Sequence, residues 1–535
     1  MKKLLSIMFI ILLITVSITI LFYSFLEKPV FNNSNTLKLY FDGVKDEEYK
    51  HIYTKDQIYI SAEYLMDNAL LDYYWDIDYN KISIFNNYNY DKINYNENKA
   101  FYNKQPYEIE DVLLIKDNEL YFNSYFLKER YIERIYIDTL NLKIIIEKDI
   151  REYKTVKDTK IRDNSSVFSK NLKKIDKGEK IFIYNNEKRG WLLARTNDNI
   201  IGFVKATDII PMSKVQFNNY PKANEKKDIK LAWDLISRPI YDFEPFYIPD
   251  SINIIAPTWY ELFYEDDLFI DLSNTEYIQY VKNSGKEIWA VFNNGFDPKL
   301  TNEMLNNGLK RSNIVDKIID ITVDNNFDGI NIDFENIYIE DKDVFSAFIK
   351  ELYCKAKANN IIMSVDVTIL SNSENWSLCF DRNVISDYAD YIILMAYDEN
   401  VSGKAGSVSS LPWVEYGVSN LLEYASSKKV VLGVPFYTRL WEEYEEKSVE
   451  KVKSTALKIE SAEKVIDELE IELKYIEEYG QNYGEKEING ITYKIWHEDK
   501  MSLIKRLHIA KNYNLSGIAV WTLNYGTEEM WEVLK

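Results

Sequence analysis

From about Asp228 onward the chain repeats one pattern, and that pattern restricts the fold more than anything else in the sequence. Short apolar runs recur with helical stretches between them: "INIIAP" from Ile252, "IWAVF" from Ile288, "FDGINIDF" from Phe327, "IIMSVDV" from Ile361, "YIILMAY" from Tyr391, "VVLGVPF" from Val430 and "GIAVWTL" from Gly517. A weaker run, "LFIDL" from Leu268, makes eight. Strands that are apolar on both faces belong to a parallel sheet covered on both sides. Eight strand–helix units over some 300 residues predict a (β/α)8 TIM barrel across residues 228–535. An α+β insertion is expected at about residues 442–500, between the last two strands. Its first part, "EKVKSTALKIESAEKVIDELEIELKYIEEY", reads as helix, and "EINGITYKIW" reads as a hairpin turning at Asn489-Gly490.

One barrel strand breaks the apolar rule. In "FDGINIDFEN", Ile330, Ile332 and Phe334 alternate with Asn331, Asp333 and Glu335. The polar row then points into the barrel, where unpaired carboxylates are costly. A solvated edge strand gives the same alternation, but would mix in Lys or Thr. The C-terminal ends of barrel strands are where such enzymes place their chemistry. Residues two apart on a strand rise about 6.6 Å, so Glu335 is outermost and Asp333 one layer deeper. A buried carboxyl beside another has a raised pKa and can serve as a general acid near neutrality. Glycoside hydrolysis needs such an acid. No second carboxylate stands out as a nucleophile, but an N-acetylated sugar can supply its own acetamido oxygen.

The rest of the composition narrows the chemistry. The two cysteines, Cys354 and Cys379, form no CxxC pair, and the three histidines, His51, His497 and His508, are scattered. Neither a thiolate metal site nor a Ser-His-Asp triad is built easily from these, so no metal and no cofactor are expected. The formal net charge of −20 argues against nucleic acid as a partner.

"DGINIDFE" resembles the family 18 glycoside hydrolase signature, D-G-x-x-x-D-x-E, and supporting motifs follow in the family's order over about residues 228–535. The resemblance implies Glu335 as acid then base, and Asp333 and Tyr397 (in "LMAYD") as the groups that hold the acetamido group. Asp328, Asn331, Met395, Asp398, Tyr437 and Arg439 (in "GVPFYTRLW") would line the sugar cleft, with Trp521 (in "GIAVWTLNYG") as its floor. Trp259, Trp441 and Trp496 are further sugar-stacking candidates. The pattern is most similar to the branch in bacterial spore and cell-wall proteins that acts on peptidoglycan N-acetylglucosamine linkages. Chitinases usually carry Asp where this chain has Asn331, and Trp where it has Phe334. The implied reaction is retaining, substrate-assisted hydrolysis of β-1,4-linked N-acetylglucosamine in peptidoglycan or chitin. The alternatives are a non-catalytic carbohydrate-binding member, or a wall-tethering protein whose front modules matter most.

Ahead of the barrel the chain is multidomain. Residues 37–150 hold a weak repeat, "IYISAEYLMDNALLDYYWDIDYNKISIFN" and "ELYFNSYFLKERYIERIYIDTLNLKIIIE", each reading as strand, short helix and two strands. This α+β module resembles the amine oxidase N-terminal domain found in exported bacterial proteins. Residues 153–212 read as a small all-β domain whose "GW" and "IGFV" resemble bacterial SH3-like domains, with Trp191 either core or ligand platform. Residues 213–227 read as a linker. At the N-terminus, residues 1–28, Lys2 and Lys3 precede an uncharged run from Leu4 to Leu26. A bilayer span needs roughly 20 residues, so the expected location is extracytoplasmic, anchored by this helix, or secreted if it is cleaved.

Overall fold

The computed structural model describes residues 37–212, except 47–50, 56, 69, 78–79, 87–88, 96–98, 103–104, 109–110, 133, 139–142, 149 and 189, and then 228–264 and 268–535. The expected anchor at residues 1–28 and the linker at 213–227 lie outside the described residues. Among the described residues no helix is long and apolar enough to cross a membrane. The chain divides into two compact units.

The first unit takes in most of residues 37–212. Strands Gln57–Ser61 and Glu119–Asn123 pair antiparallel. Each leads straight into a short helix, Ala62–Asp67 or Ser124–Arg130, and in both the last strand residue caps the helix with its side chain. Residues 150–211 form a seven-stranded sheet with antiparallel pairings. In it Trp191 is buried, with the Lys205 ammonium 5.6 Å from its ring centre.

The second unit is the barrel. Its strands are β1 (Ile229–Asp234), β2 (Ile254–Pro257), β3 (Glu287–Asn293), β4 (Gly329–Asp333), β5 (Ile362–Thr368), β6 (Tyr391–Met395), β7 (Val430–Pro435) and β8 (Gly517–Trp521). Each pairs in parallel with the next, and β8 pairs with β1 to close the ring. Alternation sorts the side chains into two apolar clusters. Ile330, Ile332, Val365 and Val367 face the helices, whereas Leu231, Trp233, Val291, Ile393 and Ala519 fill the barrel interior. Five of the barrel's helices begin after Asn274, Asp297, Asn307, Asp381 and Asp499, whose side chains accept the first free backbone N–H groups.

Two expectations need correction. "LFIDL" is not a barrel strand: Phe269–Asp271 pairs antiparallel with Tyr260–Leu262 at the sheet's edge. The eighth strand is β1, "IKLAWD", directly after the linker. FDGINIDF remains the fourth strand. In the insertion, Val449–Lys458 is a strand rather than helix, and helix is confined to Ile459–Glu468. The ten-residue edge of Tyr437–Glu446 supplies a partner for every residue of that segment, and cross-strand pairing outweighs its helical composition. The Asn489-Gly490 turn is present, with φ of 53° and 79°.

A hairpin from earlier in the chain, Lys81–Asn86 with Asn89–Asn94, belongs to the barrel unit. It lies on helix Lys342–Ala358 and reaches Ser312 of helix Gly308–Asp324 through Lys92. Beneath it Glu351, wholly buried, accepts from Arg311 Nε at 3.1 Å, Ser312 Oγ at 3.3 Å and Ser83 Oγ at 3.4 Å. Lys92 donates to Ser312, and Phe85 meets the edge of Tyr388 with ring centres 6.4 Å apart.

Candidate active site

The polar row of β4 faces inward at the C-terminal end of the barrel, as its alternation requires. Asn331 is fully buried. Phe334 points the other way and stacks on Phe348 and Phe345, with centroids 5.3 and 6.0 Å apart. That apolar anchor fixes the backbone between the two acids. Glu335 lies past the strand end, and the Asn294 side chain clamps its peptide: the Glu335 N–H donates to Asn294 Oδ1 at 3.0 Å, and Asn294 Nδ2 donates to the Glu335 carbonyl at 2.8 Å. Gly329 opens the strand because any Cβ there would lie 2.7 Å from the Trp289 ring.

Three acidic groups share this end. Burial pushes Asp333 up to about 7, and its Oδ1 is buried with no hydrogen-bond partner. Burial, then the charges of Asp333 and Asp398, hold Glu335 well above the usual carboxyl range. The third is Asp366 of β5, only 1% exposed, which burial and then Asp333 also hold well above that range. Asp366 is absent from the sequence-derived set. Its one signal was an acid in the middle of an otherwise apolar run.

Aromatic rings wall the space beside these carboxyls. Tyr397, just past β6, lies 6.5 Å from Trp521 in a stacked arrangement, and edge-on at 6.3 Å from Trp233 and 6.4 Å from Tyr437. A Cβ at residue 433 would stand 2.8 Å from the Leu394 carbonyl oxygen of β6 and 3.3 Å from the Tyr397 ring, so Gly433 of β7 lets the two strands and the phenol pack this closely. Burial, then the charges of Asp333, Asp366 and Glu335, raise the Tyr397 phenol well above its usual value. Trp233 was missed together with β1.

On the rim, Asp398 accepts the Tyr437 hydroxyl at 2.5 Å and Arg439 Nη2 at 3.2 Å. Arg439 Nη1 also donates to Ser454 of the insertion at 2.9 Å, which ties that sheet to the site. Met395 is buried at the end of β6. Asp328 does not join the group. It lies at the N-terminal end of β4, where its Oδ2 accepts the Ile288 N–H at 3.0 Å, so it braces two strands far from the cleft. Trp259 and Trp441 are fully buried, and Trp496 packs on Tyr483. Near Glu335, Phe296 and Trp376 form an exposed pair with ring centres 6.0 Å apart. Asn336 links them, donating to the Phe296 carbonyl at 2.9 Å and accepting from Asn375 at 3.5 Å. Among the described residues no group of three or more His, Cys, Asp or Glu is arranged to hold a metal ion.

A parallel barrel with clustered carboxyls of raised pKa and an aromatic wall at its C-terminal end is an arrangement that suits a glycosidase. The sequence agrees: residues 261–526 match the profile of the Glycosyl hydrolases family 18. Over 274 residues, 49% of this chain and 78% of the relative, it is 25% identical to the uncharacterized glycosylase YvbX of Bacillus subtilis. Over 248 residues it is 21% identical to the cortical fragment-lytic enzyme of Bacillus subtilis, covering 45% of this chain and 57% of that enzyme. Two solved structures share the fold: the spore cortex-lytic enzyme SleL of Bacillus megaterium and a chitinase of Chromobacterium violaceum. SleL has 18% identity and a TM-score of 0.50, over 63% of this chain and 77% of that one. The chitinase has 18% identity and a TM-score of 0.50, over 57% and 98%.

Proposed function

We propose that this protein hydrolyses β-1,4-linked N-acetylglucosamine in peptidoglycan, with retention and by substrate assistance. The observation that carries the proposal is Glu335, clamped by Asn294 and kept protonated by burial and by Asp333 and Asp398. In the first step the substrate's acetamido oxygen bonds to the anomeric carbon from one face while the bond from that carbon to the glycosidic oxygen breaks on the other; the Glu335 carboxyl gives its proton to that oxygen, and the leaving sugar departs as an alcohol. Asp333 and Tyr397 hold the acetamido group for that attack. In the second step the Glu335 carboxylate takes a proton from water, which attacks the anomeric carbon from the face the leaving group vacated and breaks its bond to the acetamido oxygen, so the configuration is retained. Stacked Trp521 and Tyr397 offer the sugar an apolar floor.

Peptidoglycan is favoured over chitin because one curated relative is named for cortical fragments and a structural neighbour for spore cortex. The apolar run at residues 4–26 favours display outside the membrane. The all-β unit at residues 153–212 suits a wall-facing module.

The decisive experiment incubates the full chain with wall muropeptides and, separately, with chitin oligomers, and analyses the products by mass spectrometry. Glu335→Gln is expected to lower kcat by about 10²–10⁴-fold, the range for loss of one acid–base group. A Glu335→Gln protein that releases sugar at the normal rate overturns the proposal.

A further inference from the structure

Asn331 puts an amide where a third acid of β4 is expected, yet a third carboxyl lies beside Asp333. β4 and β5 pair in parallel with Asn331 opposite Ser364 and Ile332 opposite Val365. Continued by one step, that register sets Asp333 opposite Asp366, and the Asp333 charge acts on the Asp366 carboxyl. Both face inward, and adjacent strands are only about 4.8 Å apart.

The Asn331 amide is fully committed to this arrangement. Its Oδ1 accepts Trp233 Nε1 at 2.9 Å; its Nδ2 donates to Ser364 Oγ at 3.0 Å and to Asp366 Oδ1 at 2.7 Å. One oxygen of Asp366 is thereby fixed. Its other oxygen, Oδ2, is buried with no hydrogen-bond donor, and so is Oδ1 of Asp333. Two such oxygens on neighbouring strands cannot both be charged and bare at tolerable cost. A single proton between them satisfies both.

We infer that Asp366 is a positioning residue that shares one proton with Asp333, so that a proton passes between β5 and β4. This rests on the proposed hydrolysis. With the proton on Asp366 Oδ2 and donated to Asp333 Oδ1, Asp333 is an anion whose other oxygen accepts the acetamido N–H. When the sugar leaves, the proton returns toward Asp333, and none is gained or lost. Asn331 cannot exchange a proton, but it aims the carboxyl that does. The titratable groups that act on the pair are Glu335 beyond β4 and Tyr397 beyond β6, with Asp398, Tyr437 and Arg439 on the rim outside them.

Three proteins test this: wild type, Asp366→Asn, and the double variant Asn331→Asp/Asp366→Asn, which moves the carboxyl back onto β4. Asp366→Asn keeps the oxygen that Asn331 holds, so the fold is retained. Its kcat is expected to drop about 10- to 100-fold with little change in KM, and the alkaline limb of its rate profile to move to lower pH. The double variant is expected to recover at least about tenfold of that loss. An Asp366→Asn protein with wild-type kcat and profile, or a double variant no better than the single one, overturns the inference. A second readout needs no turnover: the fall in Tm from pH 4 to pH 8 should be shallower in Asp366→Asn than in wild type. An unchanged slope also overturns the inference. If wild type cleaves neither substrate while the slope flattens, the proposed hydrolysis fails and the shared proton stands.

Discussion

The Tyr437 hydroxyl and the Arg439 guanidinium converge on one oxygen of Asp398, at 2.5 and 3.2 Å. This fixes a negative charge on the rim, and that charge helps keep the proton on Glu335. An acid catalyst works only while protonated, so the alkaline limb of the rate profile reports that group. Asp398→Asn removes the repulsion, and the limb is expected to move to lower pH, as measured by kcat/KM from pH 4 to pH 9. A limb that stays in place would show that Asp398 does not act on Glu335.

Phe296 and Trp376 stand exposed beside the Glu335 loop. Covering a half-exposed ring with sugar is worth about 1 kcal/mol, roughly fivefold in affinity. Trp376→Ala should therefore raise KM for long oligomers about fivefold and leave kcat nearly unchanged. Equal KM values for short and long substrates in both proteins would remove the pair from the binding surface.

The site should also leave a mark on stability. Burial raises Asp333, which shares its proton with Asp366, to about 7 in the fold, against about 3.9 in an unfolded chain. Between those values the folded state binds more protons than the unfolded state, so stability falls as pH rises. The Tm of the wild type is expected to decline from pH 4 to pH 7, and Asp333→Asn should decline less. A steeper decline in the variant would reverse the assignment.

Arg311 and Glu351 are buried together under the hairpin, Nε to Oε1 at 3.1 Å. Removing one partner of a buried pair leaves the other uncompensated, about 3–5 kcal/mol. Arg311→Leu should lose that much in chemical denaturation. A loss below about 1 kcal/mol would mean that water reaches Glu351.

Much of the barrel was readable because double-sided burial writes itself as unbroken apolar runs, and the polar row of β4 stood out against them. What escaped reading depends on tertiary partners. "IKLAWD" carries Lys230 and Asp234, which break the unbroken apolar run that marks the other strands, and Trp233 goes with it. Asp366 was hidden because one acid in an apolar strand means nothing until the neighbouring strand's register is known. Asp328 satisfied the motif but lies five residues upstream of Asp333, at the wrong end of a strand only five residues long. Residues 449–458 have the composition of a helix, and only the facing edge of Tyr437–Glu446 makes them a strand.

The hairpin at residues 81–94 bears on how such a chain can be taken apart and reassembled. A border drawn at residue 227 looks clean on the sequence, but a barrel cut there leaves behind the piece that roofs Glu351. Gene fusions or recombinants joined at that border would inherit a catalytic domain with an ionic pair opened to water on its flank. The front of this chain and its barrel are therefore expected to travel through evolution as a set, rather than as interchangeable parts.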